Sequence, residues 1–202
     1  MNQIAQSATL SRGGTSCALT FLRGFIANPE AVGSPLATSP NTVRRMLDPV
    51  DWTRAETVVE FGPGVGTFSR EILHRLPRAA RLIAIDTEVE FVDHLRRTID
   101  DPRLVAVHGS ACDARQVVDR LGGGGADCIV SGIPFSTIDP VTGDAIVACA
   151  AQMLRPGGLF MAYQVKRTLE PMLHRHFAEV ERARQWLNLP PFHLWWARKA
   201  EA

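Results

Sequence analysis

Residues 58–66 read Val-Val-Glu-Phe-Gly-Pro-Gly-Val-Gly: an apolar run closes on an acid, and glycine then recurs at every second position, Gly62, Gly64 and Gly66. Twenty residues after Gly66, a second apolar run, Leu82-Ile83-Ala84-Ile85, also closes on an acid, Asp86. Two strands, with a glycine turn after the first and a carboxylate ending the second, frame a nucleoside-binding crevice at the switch point of a doubly wound sheet. The glycines let backbone approach a ligand without a Cβ in the way, and an acid at the second strand end suits a ribose diol. A dinucleotide fingerprint requires G-x-G-x-x-G. Here its third glycine position is Thr67, and Glu60 stands two residues before the first glycine. A carboxylate there would repel a pyrophosphate, but it can pair with an amino group.

This pattern resembles motif I of the class I methyltransferases, which bind S-adenosylmethionine (SAM). The resemblance implies that Glu60, Gly62, Gly64 and Gly66 lie beside the methionine moiety, that Asp86 and Thr87 meet the ribose, and that Ser110 and Ala111 meet the adenine. Relatives often carry an acid where Ser110 stands. Asp113 is then either a substitute partner for the adenine amino group or an acid at a helix N-terminus. Strand four should end in Ser131-Gly132-Ile133-Pro134-Phe135, where amine-methylating relatives carry Asn-Pro-Pro-Tyr or Asn-Leu-Pro-Tyr. By that likeness Ser131 touches both the cofactor and the methyl acceptor, Ile133, Pro134 and Phe135 line the acceptor's side, and Tyr163 covers the transfer face. Ser131 and Tyr163 are therefore the candidate catalytic residues. Methyl transfer from a sulfonium is an in-line displacement that alignment can accelerate, and the accepting nitrogen must be neutral. Asp139, Tyr163 and His193 are the candidates for a general base. Each has a plainer reading: a helix-start acid before Pro140, a core tyrosine and a surface histidine on a strand.

Four segments occur in register: Phe21-Leu22-Arg23-Gly24-Phe25 with Asn28-Pro29 and Val32-Gly33, Glu60-Phe61-Gly62-Pro63-Gly64, Ser131-Gly132-Ile133-Pro134, and Asn188-Leu189-Pro190-Pro191. Together they are similar to the bacterial phospholipid N-methyltransferases, relatives of the ribosomal RNA adenine dimethyltransferases, over roughly residues 20–200. That family's enzymes methylate phosphatidylethanolamine at a membrane surface. The acceptor implied is a phospholipid amine, with a soluble small molecule carrying an amine or phenol as the alternative. The RNA enzymes have a basic helical domain after the sheet, which this chain, ending at Ala202, is expected to lack.

Composition bounds these readings. The chain has 202 residues, 46% of them apolar, a mean hydropathy of −0.01 and a net charge of +1. That suits one globular domain with room for a core and gives no whole-chain basis for nucleic-acid binding. Of 22 basic residues only Lys166 and Lys199 are lysines. Arginine forks suit phosphates and carboxylates, though codon bias gives the same count. Cys17, Cys112, Cys128 and Cys149 show no metal-binding spacing, so no metal is expected. The first 16 residues lack a signal-peptide core, and no run is long enough to span a bilayer. A cytoplasmic monomer is expected, with any membrane contact peripheral and on the inner face.

The elements that must carry the site follow from periodicity. A flexible tail at 1–16 and amino-terminal helices within 17–50 should precede a methyltransferase domain at 51–202. The 17–27 helix, apolar with Arg23, suits either a lid over the cofactor or an anionic membrane surface. A second helix begins at Ser39-Pro40. Strands are expected at 57–61, 82–86, 104–108, 127–131 and 159–165, and helices after the glycine loop, after strand two with Phe91, Val92, Leu95 and Ile99 as its apolar face, at 115–121, near 143–154 and at 168–178. A glycine tip at 122–125 and a helix stop at Arg155-Pro156-Gly157-Gly158 separate them. Runs at 180–187 and 192–198 should close the sheet. The fold class is α/β: a Rossmann-like, mostly parallel seven-stranded sheet with an antiparallel closing strand and helices on both faces.

Overall fold

The computed structural model describes residues 38–121, 124–186 and 191–201. The proposed 1–16 tail, the 17–27 helix and the 122–123 half of the glycine tip lie outside them. The first described helix, α1 (Pro40–Leu47), starts as expected, with Ser39 Oγ accepting from the Thr42 N–H and proline at the first helical position. Its buried stripe is Val43, Met46 and Leu47, while Arg44 and Arg45 stay exposed.

Strands β1 (Thr57–Phe61), β2 (Arg81–Asp86), β3 (Leu104–His108), β4 (Ala126–Ser131), β5 (Leu154–Gln164), β6 (Glu179–Gln185) and β7 (Phe192–Arg198) form one sheet in the order β3-β2-β1-β4-β5-β7-β6. β1 to β5 pair in parallel, and β7 runs antiparallel to both β5 and β6. The central strands read as unbroken apolar runs because helices cover both faces. One face carries α1, α2 (Thr67–Arg75) and α3 (Val89–Thr98), packed on Val58, Leu82, Val130 and Met161 and on Ala84 and Ala106. The other carries a 3₁₀ turn (Ala111–Asp113), α4 (Ala114–Arg120), α5 (Pro140–Met153) and α6 (Glu170–His176), packed on Phe61, Ile85, Ile129, Phe160 and Trp195.

Two boundaries differ from the sequence reading for identifiable reasons. α5 begins at Pro140, three residues before the expected Gly143, because Asp139 Oδ2 accepts from the Thr142 N–H and hydroxyl at 2.7 Å each. This repeats the cap-then-proline start of α1. β5 begins at Leu154, so Arg155-Pro156-Gly157-Gly158 is not a loop but a bulged first part of the strand. Ala126 pairs with Leu154 and Cys128 with Leu159, leaving extra residues on β5. Gly157 takes φ +71°, and its N–H turns to the Lys199 carbonyl at 3.2 Å.

The strands' starting ends are stitched by Asp127. Its Oδ2 accepts from the N–H groups of Glu56 and Thr57 at 2.7 and 2.8 Å, and its Oδ1 meets Arg155 at 2.8 Å. One carboxylate thus joins β1, β4 and β5. Replacing it strands backbone donors at a partly buried sheet end, so Asp127→Ala should cost about 1.5–3 kcal/mol in urea unfolding; a loss below about 0.5 kcal/mol would mean water replaces those bonds freely.

Candidate active site

The loops leaving β1, β2, β3 and β4 meet at one end of the sheet. The Gly62 N–H donates to the Ile85 carbonyl at 2.9 Å, Gly109 to Asp86 at 2.9 Å, and Gly132 to Phe61 at 2.8 Å. Gly62, Gly64 and Gly66 have φ of 64°, 55° and 83°, a region closed to most other residues, so the spacing of the glycines is a conformational requirement. A Cβ on Gly66 would fall 2.6 Å from Leu95, which sets how closely the loop lies on α3. At Gly64 a Cβ would meet nothing within 4 Å: the turn faces open space there.

Two carboxylates lie beneath this turn. Glu60 is buried at 2% exposure, with Ser69 Oγ donating to its Oε2 at 2.6 Å. Burial pushes its carboxyl up to about 7, the Asp86 charge pushes the same way, and the Ser69 bond opposes both. Asp86 is 8% exposed, accepting from the Glu88 N–H at 3.0 Å on Oδ1 and from the Gly64 N–H at 3.3 Å on Oδ2. Burial raises its pKa, against the amides of Glu88, Gly64 and Thr87 and the nearby His108. Two adjacent buried acids leave an unmet demand for positive charge and hydrogen-bond donors. The ammonium and ribose hydroxyls of SAM supply both kinds of group, so this donor set fits that cofactor.

The other expected residues are placed unevenly. Thr87 is exposed, and its carbonyl meets His108 Nε2 at 3.1 Å. Ser110 Oγ accepts from the Cys112 N–H at 3.1 Å, capping the 3₁₀ turn, with Ala111 buried behind it. Asp113 is exposed at the start of α4 and makes no side-chain cap bond. Ser131 is fully buried, and its Oγ has no hydrogen-bond partner. Ile133 packs over Gly62, and Pro134 is exposed. Phe135 turns inward, next to Gly143 in a core that includes Met172. Its ring braces the turn from below.

Tyr163 stacks on Phe68, centroids 4.9 Å apart. Burial, then the Glu60 charge, raises its pKa above the ordinary phenol value, against a hydrogen bond with Thr38. It holds its proton at neutral pH and is a poor base. Asp139 is held below the usual carboxylate range by its cap bonds to Thr142, which is the plainer of its two readings. His193 lies on β7, its pKa lowered by burial and by Arg182, Arg184 and Arg167.

Two contributors, Ser69 and Gln164, escaped the sequence reading, and a third was quoted within the Ser131–Phe135 segment without a role of its own. That third is Gly132: a Cβ would fall 2.7 Å from the Gly62 carbonyl and 2.8 Å from Tyr163 Oη, so the β1 and β4 loops can touch only through glycine. Ser69 holds Glu60, and its place three residues into α2 from Gly66 was a usable signal. Gln164 donates from Nε2 to the Ile133 carbonyl at 2.7 Å and accepts the Phe135 N–H at 3.2 Å, fixing the turn; nothing in the sequence marked it. A groove of about 1050 Å³ opens at the opposite end of the strands. Of the charges lining it, Arg155 pairs with Glu56 and Asp127, and Arg81 donates to the Leu121 carbonyl.

A strand order of this kind, with one antiparallel strand and an acid-glycine cofactor turn, defines a class I SAM-dependent methyltransferase. The family model described as "Methyltransferase domain" matches residues 58–158, half of the chain, and the chain belongs to that family. Among curated relatives, an ornithine lipid N-methyltransferase of Singulisphaera acidiphila is 27% identical over 180 residues, 88% of this chain and 94% of its own length. A ribosomal RNA small subunit methyltransferase A of Geobacter metallireducens is 29% identical, over 55% of this chain and 40% of its own length. Among solved structures, the O-methyltransferase TomG of Streptomyces achromogenes, in complex with SAM, superposes with a TM-score of 0.68 at 16% identity, covering 92% of this chain and 90% of TomG. The N-methyltransferase NodS of Bradyrhizobium japonicum, bound to S-adenosyl-L-homocysteine (SAH), gives 0.67 at 17% identity, covering 91% and 99%. SAM is the cofactor.

Because Glu60 titrates higher when folded than when unfolded, its protonated form contributes stability at acid pH. That contribution is fully present below about 4.5 and lost as pH rises through about 7. Urea unfolding of the ligand-free protein at pH 5.5 and 8 should show wild type losing about 1–2 kcal/mol more than Glu60→Gln. Parallel losses would place Glu60's titration in the ordinary range.

Proposed function

We propose that this chain transfers methyl groups from SAM to the amine of a phospholipid such as phosphatidylethanolamine. The observation that carries the reading is that the lipid N-methyltransferase relative matches nearly end to end, through both the acid-glycine loop and the β4 turn. The ribosomal RNA relative matches over 40% of its own length. Among the described residues, no helix is long and apolar enough to cross a membrane.

In this reading Glu60 pairs with the cofactor's ammonium, Asp86 accepts from its ribose hydroxyls, Gly64 leaves room for its backbone-facing side, and Ser110 and Ala111 border its adenine. The bound cofactor supplies an electrophilic methyl on a sulfonium. The Ile133 carbonyl already accepts from Gln164 Nε2 at 2.7 Å and from the Phe135 N–H at 3.0 Å, so it serves by holding the turn that faces the amine. Pro134 holds the turn rigid, and Tyr163 closes it against Gly132 as a neutral phenol. Ser131 and Tyr163 serve by positioning; the acceptor arrives as the free amine and yields its proton to water after transfer. Alignment accounts for most of the acceleration in such a displacement. The 17–27 segment, apolar with one arginine, would add contact with anionic lipid. A second reading, a soluble amine or phenol acceptor, draws on the fold shared with TomG and NodS.

Incubation with labelled SAM and phosphatidylethanolamine vesicles should give stepwise gains of methyl mass on the lipid. Transfer to soluble amines with none to vesicles would select the second reading. Asp86→Ala should weaken SAM by about 1.5–3 kcal/mol in calorimetry, and an unchanged affinity would remove Asp86 from the ribose site.

A further inference from the structure

Among the described residues, three buried side-chain polar atoms lack hydrogen-bond partners: Ser131 Oγ, Trp195 Nε1 and His193 Nδ1. All lie on the α5–α6 face of the sheet. Ser131, Ala162, Trp195 and Arg182 stand in one cross-strand row, and Gln164, His193 and Arg184 in the next row toward the end of β5. Residues in register share a face. The chain therefore sets two β6 arginines beside two strand residues with orphaned ring nitrogens, and Arg184 in the same row as the glutamine that braces the β4 turn. The rings of His193 and Trp195 are 5.4 Å apart.

The charge here is not balanced. Arg167 pairs with Glu170 at 2.6 Å, and Arg182 reaches the same carboxylate only at 3.8 Å. Arg184 has no carboxylate partner among the described residues; its guanidinium lies 4.1 Å from the centroid of Trp186, itself 67% exposed. Lys166, next to Arg167 in the chain, is exposed. Glu170 thus serves Arg167 closely and Arg182 at a distance, and leaves Arg184 without a carboxylate among the described residues. A guanidinium stacked on an aromatic face keeps its N–H edge free for a phosphate or carboxylate.

We propose that Arg182 and Arg184, with Lys166 at the rim, form an anion subsite that holds a phosphate group carried by the amine acceptor while its nitrogen meets the Ile133 turn. This rests on the phospholipid reading, whose headgroup puts two carbons between amine and phosphate. Arginine forks bind phosphate through paired charge-assisted hydrogen bonds, so the subsite selects acceptors bearing both groups over a bare amine.

The test titrates O-phosphoethanolamine into the full chain loaded with SAH, comparing wild type with R182Q/R184Q by calorimetry. Affinity should fall about tenfold or more in the variant, with SAH affinity, the urea midpoint and the response to plain ethanolamine unchanged. Equal binding by the two proteins, or none by wild type, overturns the subsite. With phosphatidylethanolamine vesicles the variant should raise KM and leave kcat near wild type, which assigns the anion to the lipid. Inorganic phosphate binding that depends on both arginines, with KM unchanged, overturns the acceptor role in favour of free phosphate. A wild-type chain that binds phosphoethanolamine yet methylates no vesicle overturns the phospholipid reading and leaves the anion subsite standing.

Discussion

Two carboxylates buried at the ends of neighbouring parallel strands set the terms for this molecule. Glu60 and Asp86 are 2% and 8% exposed, the Asp86 charge adds to Glu60's cost of ionisation, and among the described residues no lysine or arginine bonds to either. An arrangement of that kind is unfavourable in isolation. It persists because Ser69 and the amides of Gly64 and Glu88 hold the oxygens in place, and it becomes favourable once a ligand brings positive charge and hydroxyl donors. Stability held back at a site in this way is a common mark of binding function.

The surrounding architecture keeps the two acids together. Parallel pairing of β1 with β2 puts Glu60 beside Ala84 and brings the glycine turn against the end of β2. The same β1 pairs with β4, whose Gly132 turn touches the Gly62 carbonyl. The acid-glycine turn and the β4 turn thus lie close enough that a shift in one moves the other. Asp127 at the far end fixes the strand register on which that contact depends.

Much of the fold was legible because its strands are buried on both faces and its helices carry plain apolar stripes. The acid-glycine pattern was equally legible, since positive φ at Gly62, Gly64 and Gly66 leaves few alternatives to glycine. What escaped depended on contacts distant in sequence. The bulge at Arg155–Gly158 exists because the chain's end supplies partners for Gly157 and Gly158, over forty residues away. Gln164 looks like any strand-end polar residue until the Ile133 turn folds against it. Phe135, read as a wall for the acceptor, turns inward because α5 offers it Gly143. Tyr163 illustrates the opposite limit: its place beside the site was readable, but its unsuitability as a base follows only from its burial beside Glu60.

The central claim is that Glu60 ionises to receive the cofactor's ammonium. It is tested most directly by counting protons released when SAH binds at pH 6.5, from calorimetry in buffers of different ionisation enthalpy. With a carboxyl pushed up to about 7, the free protein holds that proton most of the time, so binding should expel the larger part of one proton from wild type and none from Glu60→Gln. Identical release from both proteins, or none from either, would contradict the account.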